Sequence, residues 1–251
     1  MQIRNLQKKE LNLFYHSMKI EKWDVEEVHI KSLFITHTKD FFIAYHKESL
    51  VGFIIALRES EKFGMISSFL ILKEFRGLGF GKQLFIHALH HLQKRQIALD
   101  SIESQQDFYN KFAFQSYFDV TTYKFIKGTL LHSTSNYTIE PFATTTSLQH
   151  QSDYMQLMIS SFKDSYLCIK EREKITSFGF LYRFRDGYKI YIHSENIDEA
   201  ITLFFELTQS FKERTPVYLQ TSKLEPLQYN MVKRLKMRET SKFIRMYNKI
   251  L

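Results

Sequence analysis

The 251 residues suffice for one large domain or two small ones, and 44% apolar with 16% aromatic residues against only 3 Pro and 8 Gly excludes a disordered or low-complexity chain. No apolar run reaches the ~18 residues of a membrane span, the opening Met1-Gln2-Ile3-Arg4-Asn5 has no apolar leader core, and Cys168 is the only cysteine, which excludes an intrachain disulfide and agrees with a reducing cytoplasm. The formal charge of +8 comes from 35 Lys and Arg against 27 Asp and Glu, but the basic residues are scattered, which disfavours a nucleic-acid face and leaves a multiply phosphorylated ligand or compositional drift.

Gln2–Leu6 alternates and reads as a first strand. Lys8 to about Lys19 carries Leu11, Leu13, Phe14 and Met18 near helical spacing. Asp24 is placed to cap a second helix reaching Phe34, and the Asp24-Val25-Glu26-Glu27 run suits a helix start. Asp40–Tyr45 and Leu50–Leu57 read as a hairpin around His46-Lys47-Glu48-Ser49. Met65–Leu72 is a further apolar strand. A helix follows, with Leu84, Phe85, Ala88, Leu89 and Leu92 on one face. Ile97–Ile102 is a strand, Ser104 or Gln105 opens a short helix through Phe112, and Phe114–Phe125 is a long β-prone segment. Gly128–Asn136 is polar and aperiodic, and the domain boundary is drawn there. The second half reads strand 137–142, helix 148–162, strands 175–184 and 188–193, helix 197–211, strand 217–221, helix 227–235 and strand 242–248. A faint internal repeat joins Tyr109-Asn110 through Phe114 to Tyr229-Asn230 through Met237, each a helix leading into a last strand. In the second copy His193-Ser194-Glu195-Asn196 stands where the first has its glycine turn.

That turn, Arg76-Gly77-Leu78-Gly79-Phe80-Gly81, is the segment with the clearest chemistry. Glycines lying between an apolar strand and an amphipathic helix allow positive φ and close approach of a ligand to the backbone. The first-turn N–H groups of the helix then face outward at its positive end, a site for phosphate oxygens, with Arg76 and Lys82 adding charge. A dinucleotide fingerprint needs Gly-x-Gly-x-x-Gly. A P-loop needs Ser or Thr after Gly-Lys, but Gln83 follows Lys82. A turn without a ligand is the plain alternative.

The spacing Arg-x-x-Gly-x-Gly, filled by Arg76, Gly79 and Gly81, resembles the acyl-CoA pyrophosphate loop of the GNAT superfamily of N-acetyltransferases, and the element order over residues 1 to about 125 resembles its fold. The resemblance implies an α/β fold with a mixed sheet. A GNAT acetyl-CoA-binding catalytic domain would span residues 1–128, and a smaller, degenerate GNAT-like domain would span 129–251 and contribute to the acceptor site in a cleft between the halves. It implies that the pantetheine arm of acetyl-CoA pairs with Phe69, Leu70 and Ile71, and that Arg76, Gly77, Leu78, Gly79, Phe80, Gly81 and Lys82 hold the pyrophosphate. Phe108-Tyr109-Asn110-Lys111-Phe112-Ala113-Phe114 resembles the family's Tyr-x-Lys-x-Gly-Phe helix end, which would make Tyr109 the general acid for the departing thiolate; a phenol of ordinary pKa ~10 suits that role. Ala113 stands for the usual glycine, Lys73 for a common proline, and Ile102 for a common asparagine. A nearer resemblance is to the two-domain YitH-like subgroup, on Trp23, Leu99-Asp100, Gln105-Gln106 and Arg245-Met246-Tyr247.

The resemblance thus implies transfer of an acetyl group to a primary amine of a small molecule or peptide. A non-catalytic acyl-CoA sensor, or a partner-binding module, is the alternative. Candidates for a base are Glu103, just past the fifth strand, and Ser67, Ser68 and Asp100, with a water chain as another route. His87 and His91 are spaced i, i+4 as metal ligands can be, but no third ligand is evident and they read as a solvated helix face. Cys168 reads as ordinary, no metal is expected, and an oligomer is left open.

Overall fold

We describe a computed structural model of the chain, covering residues 1–126, 137–141, 152–162, 165–172 and 174–248. The boundary segment 128–136, residue 142 of the expected strand 137–142 and residues 148–151 of the expected helix 148–162 lie outside the described residues. The chain packs as two compact units, Met1–Phe118 with the segment from Phe243 onward, and Asp119–Lys242.

In the first unit β1 (Gln2–Asn5) is followed by a 3-10 turn, α1 (Leu11–Ile20) and α2 (Glu27–Thr36). Next come β2 (Phe41–His46), β3 (Ser49–Leu57), β4 (Phe63–Ile71), α3 (Phe80–His91), β5 (Gln96–Ser101), α4 (Gln106–Asn110) and the start of β6 (Phe114–Ile126). β1 to β4 pair antiparallel in chain order, and β4 then pairs parallel with β5. A parallel pair cannot be closed by a hairpin, so α3 is the crossover. From Val51 to Leu57 every residue of β3 is buried, because helices cover both of its faces. Leu84, Phe85, Ala88 and Leu92 of α3 pack on Phe42, Ala44, Val51, Ile54, Ile66, Ile97 and Leu99. On the other face Phe14 of α1 lies 5.9 Å from Phe41 and 4.9 Å from Phe53, ring to ring.

The second unit repeats the plan. Its elements are β7 (Ile139–Pro141), α5 (Asp153–Ser161), β8 (Tyr166–Glu171), β9 (Lys174–Phe184), β10 (Gly187–His193), α6 (Ile197–Thr208), β11 (Pro216–Thr221) and α7 (Pro226–Arg234). β7 to β10 pair antiparallel, and β10 pairs parallel with β11 across α6. Leu203, Phe204 and Met231 pack with Ile190, Ile192, Val217 and Leu219 on one face. Met158 and Ile159 pack with Tyr166, Cys168, Phe178 and Phe180 on the other. The buried Cys168 thiol is pushed up from its ordinary value by burial, as expected of an inert core residue.

The packing divides differently from a single cut after residue 128. β6 begins in the first unit, and its Thr121–Ile126 pairs antiparallel with β11 in the second. The last strand, β12 (Arg238–Asn248), begins in the second unit and pairs Ile244–Tyr247 with Ser101–Ala98 of β5 in the first. Each unit thus completes its sheet with chain from the other half of the sequence. Two local readings also change. α2 begins at Glu27 behind the extended Glu26, so Asp24 is not its cap. β8 was not foreseen, because Tyr166-Leu167-Cys168-Ile169 is short and runs at once into Lys170-Glu171-Arg172.

Candidate active site

β4 and β5 are paired only from Phe63↔Gln96 to Ile66↔Leu99. β4 continues to Ile71 and β5 to Ser101 without each other, so the two strands part and the β5-facing edge of β4 is left without that neighbour from Ser67 onward. On its other edge β4 bulges against β3. Phe53 faces Leu70 and Ile55 faces Ser67, and Ser68 takes a positive φ of 46° to accommodate the extra residue. The Phe69 ring stays with the α3 core, 5.6 Å from Phe85 and 5.8 Å from Phe108.

The chain leaves β4 through a 3-10 turn, Lys73–Phe75, and enters α3 by way of Gly77 and Gly79 at φ +77° and +81°. Such angles strain any residue with a Cβ. No atom lies within 4 Å of where a Cβ would sit on either glycine, so backbone conformation and not crowding requires glycine there. Gly79 is the N-cap of α3 and supplies no side-chain oxygen, so the first-turn N–H groups are left for an outside acceptor. Gly81 is different: its Cβ would meet Ile71 and Phe69 at 3.4 and 3.5 Å, ordinary contact. Lys82 and Leu78 are exposed. Arg76 does not reach over the turn. Its Nε donates to the Ile71 carbonyl at 2.8 Å, and its Nη2 pairs with Glu21 at the end of α1 at 2.6 Å. Phe80 packs under the hairpin end, 4.9 Å from the His46 ring.

Tyr109 lies on α4, with its ring 5.4 Å from Phe85 and 5.3 Å from Phe108. Burial pushes its phenol up to about 12. Among the described residues no hydrogen bond is made by its hydroxyl. The turn that follows α4 closes at Ala113 with φ +63°, the conformation that glycine adopts without strain. Glu103 is exposed in the 3-10 turn after β5, paired with no described cation. Asp100 is not free to act as a base. Both of its oxygens accept from Arg245, through Nε and, at 3.0 Å, through Nη2. The fragments Leu99-Asp100 and Arg245-Met246-Tyr247, far apart in sequence, are register partners on β5 and β12.

His87 and His91 do not form a solvated face. Both rings stand edge-on to Phe42, at 4.7 and 4.9 Å. His91 Nε2 meets the buried Asp40 Oδ1 at 2.8 Å, and the same carboxylate accepts from the Arg58 backbone N–H and guanidinium. No spacing signal points to this network, because Asp40, Arg58 and His91 lie on or beside three separate elements.

Comparison with known proteins agrees with this architecture. Residues 8–129 and 149–250 each match a family described as an acetyltransferase (GNAT) domain. A holothin acyltransferase from Pseudoalteromonas sp. (strain SANK 73390) is 24% identical over 101 residues, which is 40% of this chain and 34% of that protein, so the match spans about a third of the relative's length. A provisionally assigned acetyltransferase structure from Pyrococcus horikoshii superposes with a TM-score of 0.75 at 14% identity, over 99% of this chain and 90% of that one. A tandem GNAT protein from the clavulanic acid biosynthesis pathway does so with a TM-score of 0.68 at 9% identity, over 100% and 98%. Among the described residues no helix is long and apolar enough to cross a membrane. With a GNAT acetyltransferase domain matched in each half, the chain belongs to the GNAT acetyltransferase family.

Proposed function

We propose that the first unit transfers an acetyl group from acetyl-CoA to a primary amine of a small molecule or peptide, in the cytoplasm. The observation that carries this is the glycine-capped start of α3 beside the unpaired edge of β4. In this reading the pyrophosphate takes the N–H groups of Gly77 to Lys82, with Lys82 nearby in charge and Arg76 bracing the turn through Ile71 and Glu21. Phe69, Leu70 and Ile71 offer the pantetheine arm the edge of β4 that β5 leaves uncovered, beside the Ile71 carbonyl that already accepts from Arg76. The acceptor nitrogen attacks the thioester carbonyl, a C–N bond forms, and the C–S bond breaks. The sulfur takes a proton from Tyr109, and the proton lost by nitrogen returns through water, with Glu103 as the exposed carboxylate on that route. A phenol near 12 keeps its proton at every working pH, and the same burial makes it a weaker acid than an ordinary phenol, so it donates only as the thiolate departs.

Calorimetric titration of the purified protein with acetyl-CoA, beside a Gly79→Glu, Gly81→Glu double variant, tests the reading. Micromolar binding by the wild type that the variant loses is the expected result. A folded wild type that binds no acetyl-CoA would overturn it.

A further inference from the structure

The acceptor side of this site has a chemistry of its own. Residues alternate across a strand, so Phe63, Met65 and Ser67 of β4 share one face with Ala98 and Asp100 of β5 and with Arg245 and Tyr247 of β12, opposite the face on which α3 packs. Ser67 and Asp100 are the first residues past the last β4–β5 pair, so this face borders the point where the strands part. It is not buried as β3 is: Phe63, Met65, Ser67, Asp100, Arg245 and Tyr247 are all only half-buried. Rings line it. Tyr247 lies 6.4 Å from Phe63 and 5.5 Å from Tyr117, which is 75% exposed, and the Arg245 guanidinium lies 5.8 Å from the centre of Phe118. Its two charges cancel, since Asp100 and Arg245 close on each other in a two-point pair.

Resting on the acetyl-transfer reading above, we propose that this floor selects a neutral, ring-bearing amine, an aryl or heteroaryl amine, as the acceptor. Three features support that class. Rings favour a flat partner by edge and face contacts. A self-paired Asp100–Arg245 offers no net charge to offset the cost of desolvating an ammonium. An alkyl amine with an ordinary pKa ~10.4 arrives protonated and must be deprotonated before attack, yet the carboxylate nearest the parting strands is committed to Arg245. An aryl amine is already neutral at pH 7 and needs no base before it attacks. Tyr247 is then a specificity residue, and Asp100 a positioning residue through its hold on β12.

The test uses the full-length protein with acetyl-CoA and follows thiol release with aniline, benzylamine, spermidine and glycine as acceptors. Aniline should exceed benzylamine in kcat/KM by at least about tenfold at pH 7. Its rate should stay flat from about pH 6 to 9, whereas an alkyl amine should gain on the order of tenfold per pH unit as its ammonium deprotonates. Tyr247→Ala should lower kcat/KM for aniline by about three- to tenfold through KM, and Tyr247→Phe should keep the wild-type value. Acetyl-CoA affinity and melting temperature in both variants separate a lost contact from a lost fold. Benzylamine or spermidine matching aniline, or no amine turned over by a protein that binds acetyl-CoA, would overturn the aryl-amine assignment while leaving the cofactor site standing. A wild type that fails to bind acetyl-CoA would remove the parent reading and this one with it.

Discussion

The two units share a plan but differ at one helix start, and that difference separates an uncapped start from one closed by its own side chain. In the first unit α3 begins at Gly79 after a long, glycine-bearing turn, with no capping oxygen and with Lys82 in its first turn. In the second, the chain passes from β10 to α6 through Ser194-Glu195-Asn196, and the Asn196 side chain accepts from the N–H groups of Asp198 and Glu199 at 2.8 and 3.3 Å. Asp198 and Glu199 also put negative charge at that end. Glu199 is itself occupied by Thr176 and Ser177. One helix start leaves its first-turn N–H groups without a side-chain cap, as the proposed pyrophosphate site requires. The other supplies its own oxygen and repels a second one. The remaining signs of kinship are intact: the parallel pair that stops short at Lys189↔Tyr218, and the helix ends at Ala113 and Lys236, both at positive φ.

Four variants would break or sharpen this contrast. The largest effect is expected for Tyr109→Phe, which should lower kcat by about 10²–10⁴-fold without changing the calorimetric Kd for acetyl-CoA. The wild-type rate should show no falling alkaline limb from this phenol below about pH 11, because its raised value of about 12 keeps the proton bound. Gly79→Val should raise the Kd for acetyl-CoA by on the order of 100-fold, since a β-branched residue is strained at φ +81°. No substitution at the α6 start should do so. Lys189→Met tests the second unit's own anomaly, a mostly buried ammonium whose described partners are Gln220 Oε1 at 2.8 Å and the Phe184 ring. Burial, then Arg185, lowers this amine to about 8. The unfolded chain holds that proton more tightly, so the stability of the fold rises as the pH climbs from about 8 to its ordinary 10.5. The methionine variant should gain about 1–2 kcal/mol at pH 7 in denaturant melts, and the gain should fade by pH 10. The smallest effect is expected for Asn196→Ala, a cost of about 1 kcal/mol in the same melts with the acetyl-CoA Kd unchanged. A changed Kd there would mean that the α6 start also serves the cofactor.

The parts legible in the sequence were those set by near neighbours. The strand-turn-helix from Met65 to Leu92 was readable because glycine spacing and the i, i+3, i+4 apolar stripe are local signals. Most strands and helices of the second half fell where periodicity put them, and β8 was missed for want of length. The tie of Arg76 to Glu21, the His91–Asp40–Arg58 network and the Asp100–Arg245 pair escaped, because each joins separate elements and no spacing rule links their numbers. Sequence by itself determined the class of fold, the two-part organisation and the glycine turn, since propensity, pattern and positive φ act over a few residues. Tertiary structure alone decided that β6 and β12 each serve both units, that Asp100 is spoken for, and that a ring-lined face opens where β4 and β5 part. Those outcomes depend on which strand lies beside which, and pairing between strands distant in sequence is fixed by packing rather than by local preference.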